Sequence, residues 1–308
     1  MIDDMTTTKP QTIVVAINPS ASFGRGKPVG PTVVAALTDV GHRVTALVRD
    51  SQEALVEAAR DALADRPDAL VVVGGDGMVG LGAALVATTG IPLGIVPSGT
   101  GNDMARALGI PHDDPRAATR LLVRALESAP RVVDAIRVTE ASGRSTWVAG
   151  SVSAGFDAFV NERANRLRWP KGRARYDLAL AIELLRLRQV DYVLDLDGVS
   201  RVVAGTLVTA ANARTVGGGI ALAPDAVVDD GLLDVLVVER LSRIGFLRLF
   251  PSVSKGRHLG DPRVTVHRAR RVRIEAAGVV AFGDGERLGS LPVEVEVVPE
   301  ALAVLTRS

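Results

Sequence analysis

The chain of 308 residues contains no cysteine. Disulfide staples and thiolate metal sites are therefore excluded. Its four histidines, His42, His112, His258 and His267, are scattered and show no metal-ligand spacing. Excess charge is also missing: Lys and Arg number 36 against 35 Asp and Glu, a net charge of +1. That balance argues against a chain built mainly to bind nucleic acid. No apolar run reaches the ~18 residues of a membrane-spanning helix. The opening MIDDMTTTKP lacks the apolar stretch of a secretory signal. The expectation is a cytoplasmic protein whose membrane contact is peripheral. The P-loop pattern is absent too, because Gly26-Lys27 is followed by Pro28.

What is present is an ordinary globular composition, 47% hydrophobic and 23% charged. The length suffices for two domains with real cores. In the first half, apolar runs alternate with helical patterns. Ile13–Ile17, Arg43–Val48, Ala69–Val73 and Ile91–Val96 read as strands. Helices are expected at about Pro31–Asp39, over Gln52–Leu63, after Gly77, and from Met104 to Leu108. This alternation predicts a parallel sheet with right-handed crossovers, an α/β domain of Rossmann-like type over residues 1–130.

Three polar or Gly-rich loops, 18–27, 74–77 and 97–103, leave the carboxyl ends of strands. Ligands of such sheets bind there. Gly74-Gly75-Asp76-Gly77 bends between a strand and a helix, an arrangement suited to phosphate. An acid in that bend repels phosphate unless a cation or hydroxyl intervenes, so Asp76 reads as a metal-linked or hydroxyl-binding group. Gly75-x-Gly77-x-x-Gly80 also matches GxGxxG. It follows the third strand rather than the first, and the next strand leads into Pro97-Ser98 without the acid a dinucleotide site needs.

GGDG followed by PSGTGND resembles the catalytic domain shared by diacylglycerol, sphingosine and ceramide kinases, and most of all the soluble bacterial lipid kinases of that group. The first loop, NPSASFGRGK, is similar to the group's Asn-Pro loop. Met78 departs from it, since the group usually has Thr after GGDG. The resemblance implies an NAD-kinase-like nucleotide domain in which ATP meets Asn18, Val48, Gly74, Gly75, Asp76, Gly77, Met78, Ser98, Gly99, Thr100, Asn102 and Asp103.

From Arg131 the pattern changes to short, turn-punctuated strands. They are Val132–Val138, Trp147–Ser153, Asp191–Leu196, Arg201–Ala210, Leu233–Val238, Val264–Val266, Val272–Glu275 and Val293–Val298, interrupted by one helix, Ala174–Gln189. A β-rich domain, a sandwich, is expected over residues 131–298, with about 299–308 packing back on the first domain. The stretch ANARTVGGGIALAPDAVVDDGLLD is similar to one in bacterial lipid kinases. There the resemblance implies a structural magnesium on Asp230 and the carbonyls of Val227 and Leu232. Read alone, Asp-Asp-Gly is a tight turn.

FGDGERLG matches the group's late Asp-Gly-Glu, which implies Asp284 as general base supported by Glu286. A lipid hydroxyl attacking a γ-phosphate must lose a proton to some such group. Read alone, Asp284-Gly285 is a hairpin turn. Asp134 sits inside an apolar strand, costly for a lone carboxylate, so it needs a partner. The resemblance implies that Asp134 joins Asp76 at a catalytic Mg2+, through water, in a cleft between the domains.

Residues 163–188 carry eight Arg or Lys against two acids. Arg166, Arg168, Trp169, Lys171 and Arg173 suit anionic lipid headgroups, although an ordinary packed surface helix has the same pattern. His267, Arg268, Arg270, Arg271 and Arg273 alternate as on a solvated strand face. Taken together, the expectation is an ATP- and Mg2+-dependent kinase acting on a lipid hydroxyl at a membrane surface, with diacylglycerol as acceptor. An NAD kinase-type enzyme and a catalytically impaired nucleotide-binding regulator are the alternatives. No nucleic-acid partner is expected, and a homodimer is compatible with the chain.

Overall fold

The computed structural model describes residues 9–19, 22–23, 27–170 and 172–307. Part of the loop expected over 18–27 therefore lies outside the described residues, as do Lys171 and the side chains of Lys27 and Arg173. Two compact units are present. Of the described residues, one takes in those up to Gly99, Leu108–Val132 and those from Leu302 to Arg307; the other takes in Thr100–Ala107 with those from Val133 to Ala301.

In the first unit the chain runs β1 (Thr12–Ile17), β2 (Ser22–Phe23), β3 (Lys27–Pro28), α1 (Val29–Asp39), β4 (Arg43–Val48), α2 (Gln52–Ala64), β5 (Ala69–Gly74), α3 (Asp76–Val86) and β6 (Leu93–Pro97). The helix α4 (Asp103–Ala107) groups with the second unit, and α5 (Pro115–Ala125) returns to the first. Parallel strands lie in the order β6-β5-β1-β4. The central runs β1 and β5 are buried on both faces, with Ile13, Val15, Leu70 and Val71 fully inaccessible, whereas β4 at the edge is largely exposed. Local chemistry sets the helix starts. Ser51 caps α2 by accepting from Ala54 N–H, and Asp114 caps α5 with Pro115 at its first position.

The second unit contains β7 (Arg131–Glu140), β8 (Ser145–Val148), β9 (Ser151–Gly155), α6 (Phe156–Arg166), α7 (Arg173–Leu185), β10 (Val190–Leu196), β11 (Val199–Ala211), β12 (Leu233–Glu239) and α8 (Arg243–Val253). After a 3-10 turn at His258–Gly260 come β13 (Val264–Ala269), β14 (Arg271–Glu275), β15 (Val280–Gly283), β16 (Glu286–Ser290) and β17 (Val293–Leu305). Antiparallel pairing gives the order β16-β15-β9-β11-β10-β14-β17, with β12 beside β11 and β13, and β7 beside β8 and β17. Its core is built from inward residues such as Ile136, Tyr192, Leu194, Val208, Leu233 and Val295. The last residues of β17, Val304 and Leu305, run parallel to β6 within the first unit.

Two features differ from the sequence pattern. The single strand expected over 147–153 is broken at Ala149-Gly150, because three successive amides there turn to a carboxylate described below. One helix was expected in this half, and three are present. The apolar face of α6 (Phe156, Val160, Ala164) packs with Ala179 of α7 and Phe246 of α8, and the last of these helices carries an internal Pro251 that hides its pattern.

Candidate active site

At one edge of the first unit, β1, β5 and β6 end together. Asn18 N–H donates to the Val73 carbonyl at 3.0 Å, and Ser98 N–H donates to the Gly74 carbonyl at 2.8 Å. A Cβ on Gly75 would lie 3.1 Å from the Gly99 Cα, so two backbones touch where a side chain would separate them. Gly75 caps α3 and Asp76 is its first residue, with Gly77 beside it. The start of this helix turns its positive dipole end to the same edge. The Ser98 Oγ is buried there without a hydrogen-bond partner, a cost that an incoming ligand oxygen would remove. This cradle fits a phosphate-bearing group. Val48 ends the neighbouring β4, opposite Ile17, and is 48% exposed. Met78 is buried, and its side chain folds over the Gly74 Cα.

In the second unit, Asn102 adopts a left-handed φ of 56° and is buried just before α4. Asp103 then accepts the N–H groups of Gly218 and Gly219, each at 2.8 Å. Gly217, Gly218 and Gly219 all have positive φ, so their amides can face a single carboxylate. A Cβ on Gly218 would lie 3.6 Å from the Thr100 carbonyl. Asp103 is thus a clasp on the glycine run, a contact that the sequence left unspecified.

The turn at Asp284-Gly285 joins β15 to β16, with φ of 48° and 86°, the geometry of a type I′ hairpin. The hairpin reading is therefore correct, and the side chain does something further. Its carboxylate accepts N–H groups from Ala149 (2.8 Å), Gly150 (3.0 Å) and Ser151 (3.0 Å), while its own N–H donates to the Ser151 carbonyl (3.1 Å). Gly150 is required, because a Cβ there would meet Asp284 Oδ1 at 2.8 Å. Charge-assisted bonds of this kind fix the orientation of the acid. Glu286 is exposed at the first position of β16.

Asn212 connects this segment to Asp134. Its Nδ2 donates to the Asp134 carbonyl (3.1 Å) and the Ala149 carbonyl (3.2 Å). Its buried Oδ1 has no partner. Asp134, 2% exposed, finds the partners its burial demands in backbone. Gly231 N–H donates to Oδ2 at 2.7 Å and Glu300 N–H to Oδ1 at 3.0 Å. Sequence reasoning passed over Asn212, although it opens the quoted ANARTVGGG stretch.

The expected cation ligands, Asp230 and the carbonyls of Val227 and Leu232, lie on the loop that leads into β12. Asp230 Oδ1 accepts Leu232 N–H at 3.1 Å, and Oδ2 pairs with Arg268. Among the described residues, no group of three or more His, Asp or Glu side chains is arranged to hold a metal. Asp76, beside a phosphate cradle, fits the usual magnesium arrangement of one or two carboxylates plus phosphate oxygens.

Asp157 was also missed. It begins the long helix after β9, accepts Ala158 N–H at 2.8 Å, and is bonded by the Ser153 hydroxyl. Burial pushes its carboxyl up to about 6, against the pull of those bonds. The helix pair α6–α7 carries the basic segment. Glu183, 2% exposed, binds Arg163 Nε (2.5 Å) and Arg188 Nη2 (2.9 Å). Trp169 is 78% exposed, and Leu185 70%. No helix among the described residues is long and apolar enough to cross a membrane.

Residues 12–138 match the diacylglycerol kinase catalytic domain, and residues 150–306 match the YegS C-terminal NAD kinase beta sandwich-like domain. A diacylglycerol kinase of Mycobacterium tuberculosis is 38% identical over 294 residues, covering 95% of this chain and 94% of that one. A diacylglycerol kinase of Bacillus subtilis is 28% identical over 244 residues, 77% of each chain. In fold, the chain is similar to the crystal structure of a diacylglycerol kinase from Bacillus anthracis. The TM-score is 0.71 with 20% identity, over 97% of this chain and 98% of that one.

Proposed function

The chain belongs to the kinase family in which a diacylglycerol kinase catalytic domain precedes a YegS-type C-terminal domain, and on that footing we propose that it moves the γ-phosphate of ATP to the hydroxyl of diacylglycerol, forming phosphatidic acid. The observation that carries the proposal is the Asp284 carboxylate, oriented by three amides at the start of β9. A lipid hydroxyl that attacks phosphorus must give up its proton, and a fixed carboxylate can accept it late in a loose transition state. The β5–α3 bend and the orphan Ser98 hydroxyl hold phosphate oxygens, supplying positioning without reorganisation. Magnesium, held through Asp76, would neutralise charge building on those oxygens. Asp134 keeps the bends at 228–231 and 299–300 in place through its backbone donors. Contact with the membrane surface falls to basic and apolar side chains of the α6–α7 pair and the segment joining them, Arg166 and Trp169 among them.

Radiolabelled ATP incubated with a total lipid extract, with diacylglycerol vesicles and with NAD tests the reading. Label in phosphatidic acid supports it; label in NADP, or in no product, overturns it. In the same assay Asp284→Asn should abolish turnover while ATP still binds.

A further inference from the structure

We propose that Asn212 is a positioning residue for Asp284: it holds the carbonyl side of the 149–151 bend, so that the amide side of the same bend fixes the Asp284 carboxylate. The inference rests on the reading of Asp284 as general base. In a trans peptide the C=O of one residue and the N–H of the next lie in one plane and point opposite ways, so turning one end turns the other. The Ala149–Gly150 plane is held at both ends. Its carbonyl, on Ala149, accepts Asn212 Nδ2 at 3.2 Å, and the Gly150 N–H donates to Asp284 Oδ1 at 3.0 Å. The Gly150–Ser151 plane is held in the same way. The Gly150 carbonyl accepts the backbone N–H groups of Asn212 (2.8 Å) and Ala213 (3.0 Å), and the Ser151 N–H donates to Asp284 Oδ1 at 3.0 Å. Asn212 and Asp284 thus grip the same two peptides from opposite sides.

Strand register puts the side chain in reach. Asn212 follows directly on β11, whose last residue, Ala211, pairs with Ser151 of β9. From there one N–H of the amide meets the Ala149 carbonyl and the other meets the Asp134 carbonyl on β7 at 3.1 Å. The bend is thereby tied to a second strand. A primary amide supplies both donors from one atom, whereas an aspartate or a serine offers at most one. Asn212 is fully buried, and among the described residues its Oδ1 has no partner. Reversing the amide would set that oxygen against two carbonyl oxygens, so its direction is fixed. An unpaired buried oxygen costs stability, and that cost is accepted here for the two donors. A base must stand within hydrogen-bond reach of the proton it takes. Tilting these two planes therefore acts on turnover. The phosphate cradle between β5 and α3 contains none of these residues, so nucleotide affinity should not follow.

The test pairs amide hydrogen exchange of the whole chain, without nucleotide, with steady-state kinetics on ATP and diacylglycerol vesicles. Asn212→Ala is expected to exchange faster than wild type at 149–151 and to lose kcat by roughly 10–100-fold. Its KM for ATP should stay at the wild-type value, the split expected when only the reacting geometry is disturbed. Val208→Ala, a truncation at a fully buried core position of the same strand, controls for loosened packing. It should lower Tm and leave both kcat and exchange at 149–151 as in wild type. Unchanged exchange at 149–151 in Asn212→Ala overturns the proposal. So does a wild-type kcat in that variant, or an equal loss of kcat in Val208→Ala. Should the alanine variant fail to accumulate, Asn212→Asp keeps the shape with at most one donor and is expected to show the same split. A wild-type kcat in the aspartate variant also overturns the proposal. Failure of the base reading looks different: Asp284→Asn would then retain turnover, whatever Asn212→Ala does to amide exchange.

Discussion

Met78 folds back over Gly74: a Cβ on Gly74 would lie 2.9 Å from the Met78 Cβ and closer still to its Cγ. The glycine that ends β5 is therefore demanded by a side chain four residues later as well as by the bend itself. Gly74→Ala should cost about 1–3 kcal/mol by overpacking, read as a lower urea midpoint. Met78→Ala in the same molecule should return part of that loss, because it removes the Cγ, the nearer of the two clashing atoms. Additive losses in the double variant would refute the interlock.

Asp157 makes stability fall as pH rises through its own titration. The native carboxyl holds its proton to about 6, whereas the usual value is 3.8, so between those values the folded state binds more protons than the unfolded one. That difference corresponds to at most about 3 kcal/mol. Solvent reaches this partly buried group, and about 1–2 kcal/mol is a fairer expectation. Asp157→Asn should therefore stabilise the protein at pH above 6 and change little near pH 4, in parallel urea titrations.

His258 acts with the opposite sign. Burial lowers its affinity for a proton, against the bond between Nε2 and the Leu222 carbonyl at 2.9 Å, and its buried Nδ1 has no acceptor. The unfolded chain takes up a proton near 6.5, so stability is present above that pH and drains away as pH falls through it. His258→Gln should flatten this acid limb. An unchanged slope between neutral pH and pH 5 would leave the effect with other groups, His267 first.

Glu183 is buried between two arginines. Burial pulls its carboxyl up, but the bonds and charges of Arg163 and Arg188 outweigh it and leave it lowered. Arg163→Ala leaves a buried carboxylate with one partner and should cost about 2–4 kcal/mol, with the loss shrinking in acid as Glu183 protonates. An equal loss at every pH would assign the effect to packing of the arginine stem.

Much of this fold was legible because it is local. The run Ala69–Val73 reads as a doubly buried strand and Gln52–Leu63 as a helix, whereas α5, over Pro115–Ala125, was not expected. The Asp284-Gly285 turn was equally plain. What escaped depends on distant chain. The partners of Asp134 lie 97 and 166 residues away. Asp157 is one acid among many until Ser153 and the start of α6 surround it. Arg268 belongs to an alternating run that reads as a solvated face, and it is half exposed like Arg271 and Arg273. Its bond to an acid 38 positions earlier has no local trace. The helix α6 had the right spacing in Phe156, Phe159, Val160 and Ala164, but the arginines among them mask its apolar stripe.

With Asp284 as the base proposed above, its left-handed conformation narrows how the enzyme can fall silent. Only Asp, Asn and Gly sit comfortably at such a φ, so almost any other replacement distorts the hairpin together with the 149–151 amides that depend on it. Loss of the carboxylate alone is open to two residues. A relative with an intact hairpin and Asn or Gly at this position would be a fold preserved after its chemistry was given up, whereas a bulky residue there would mark a site rebuilt.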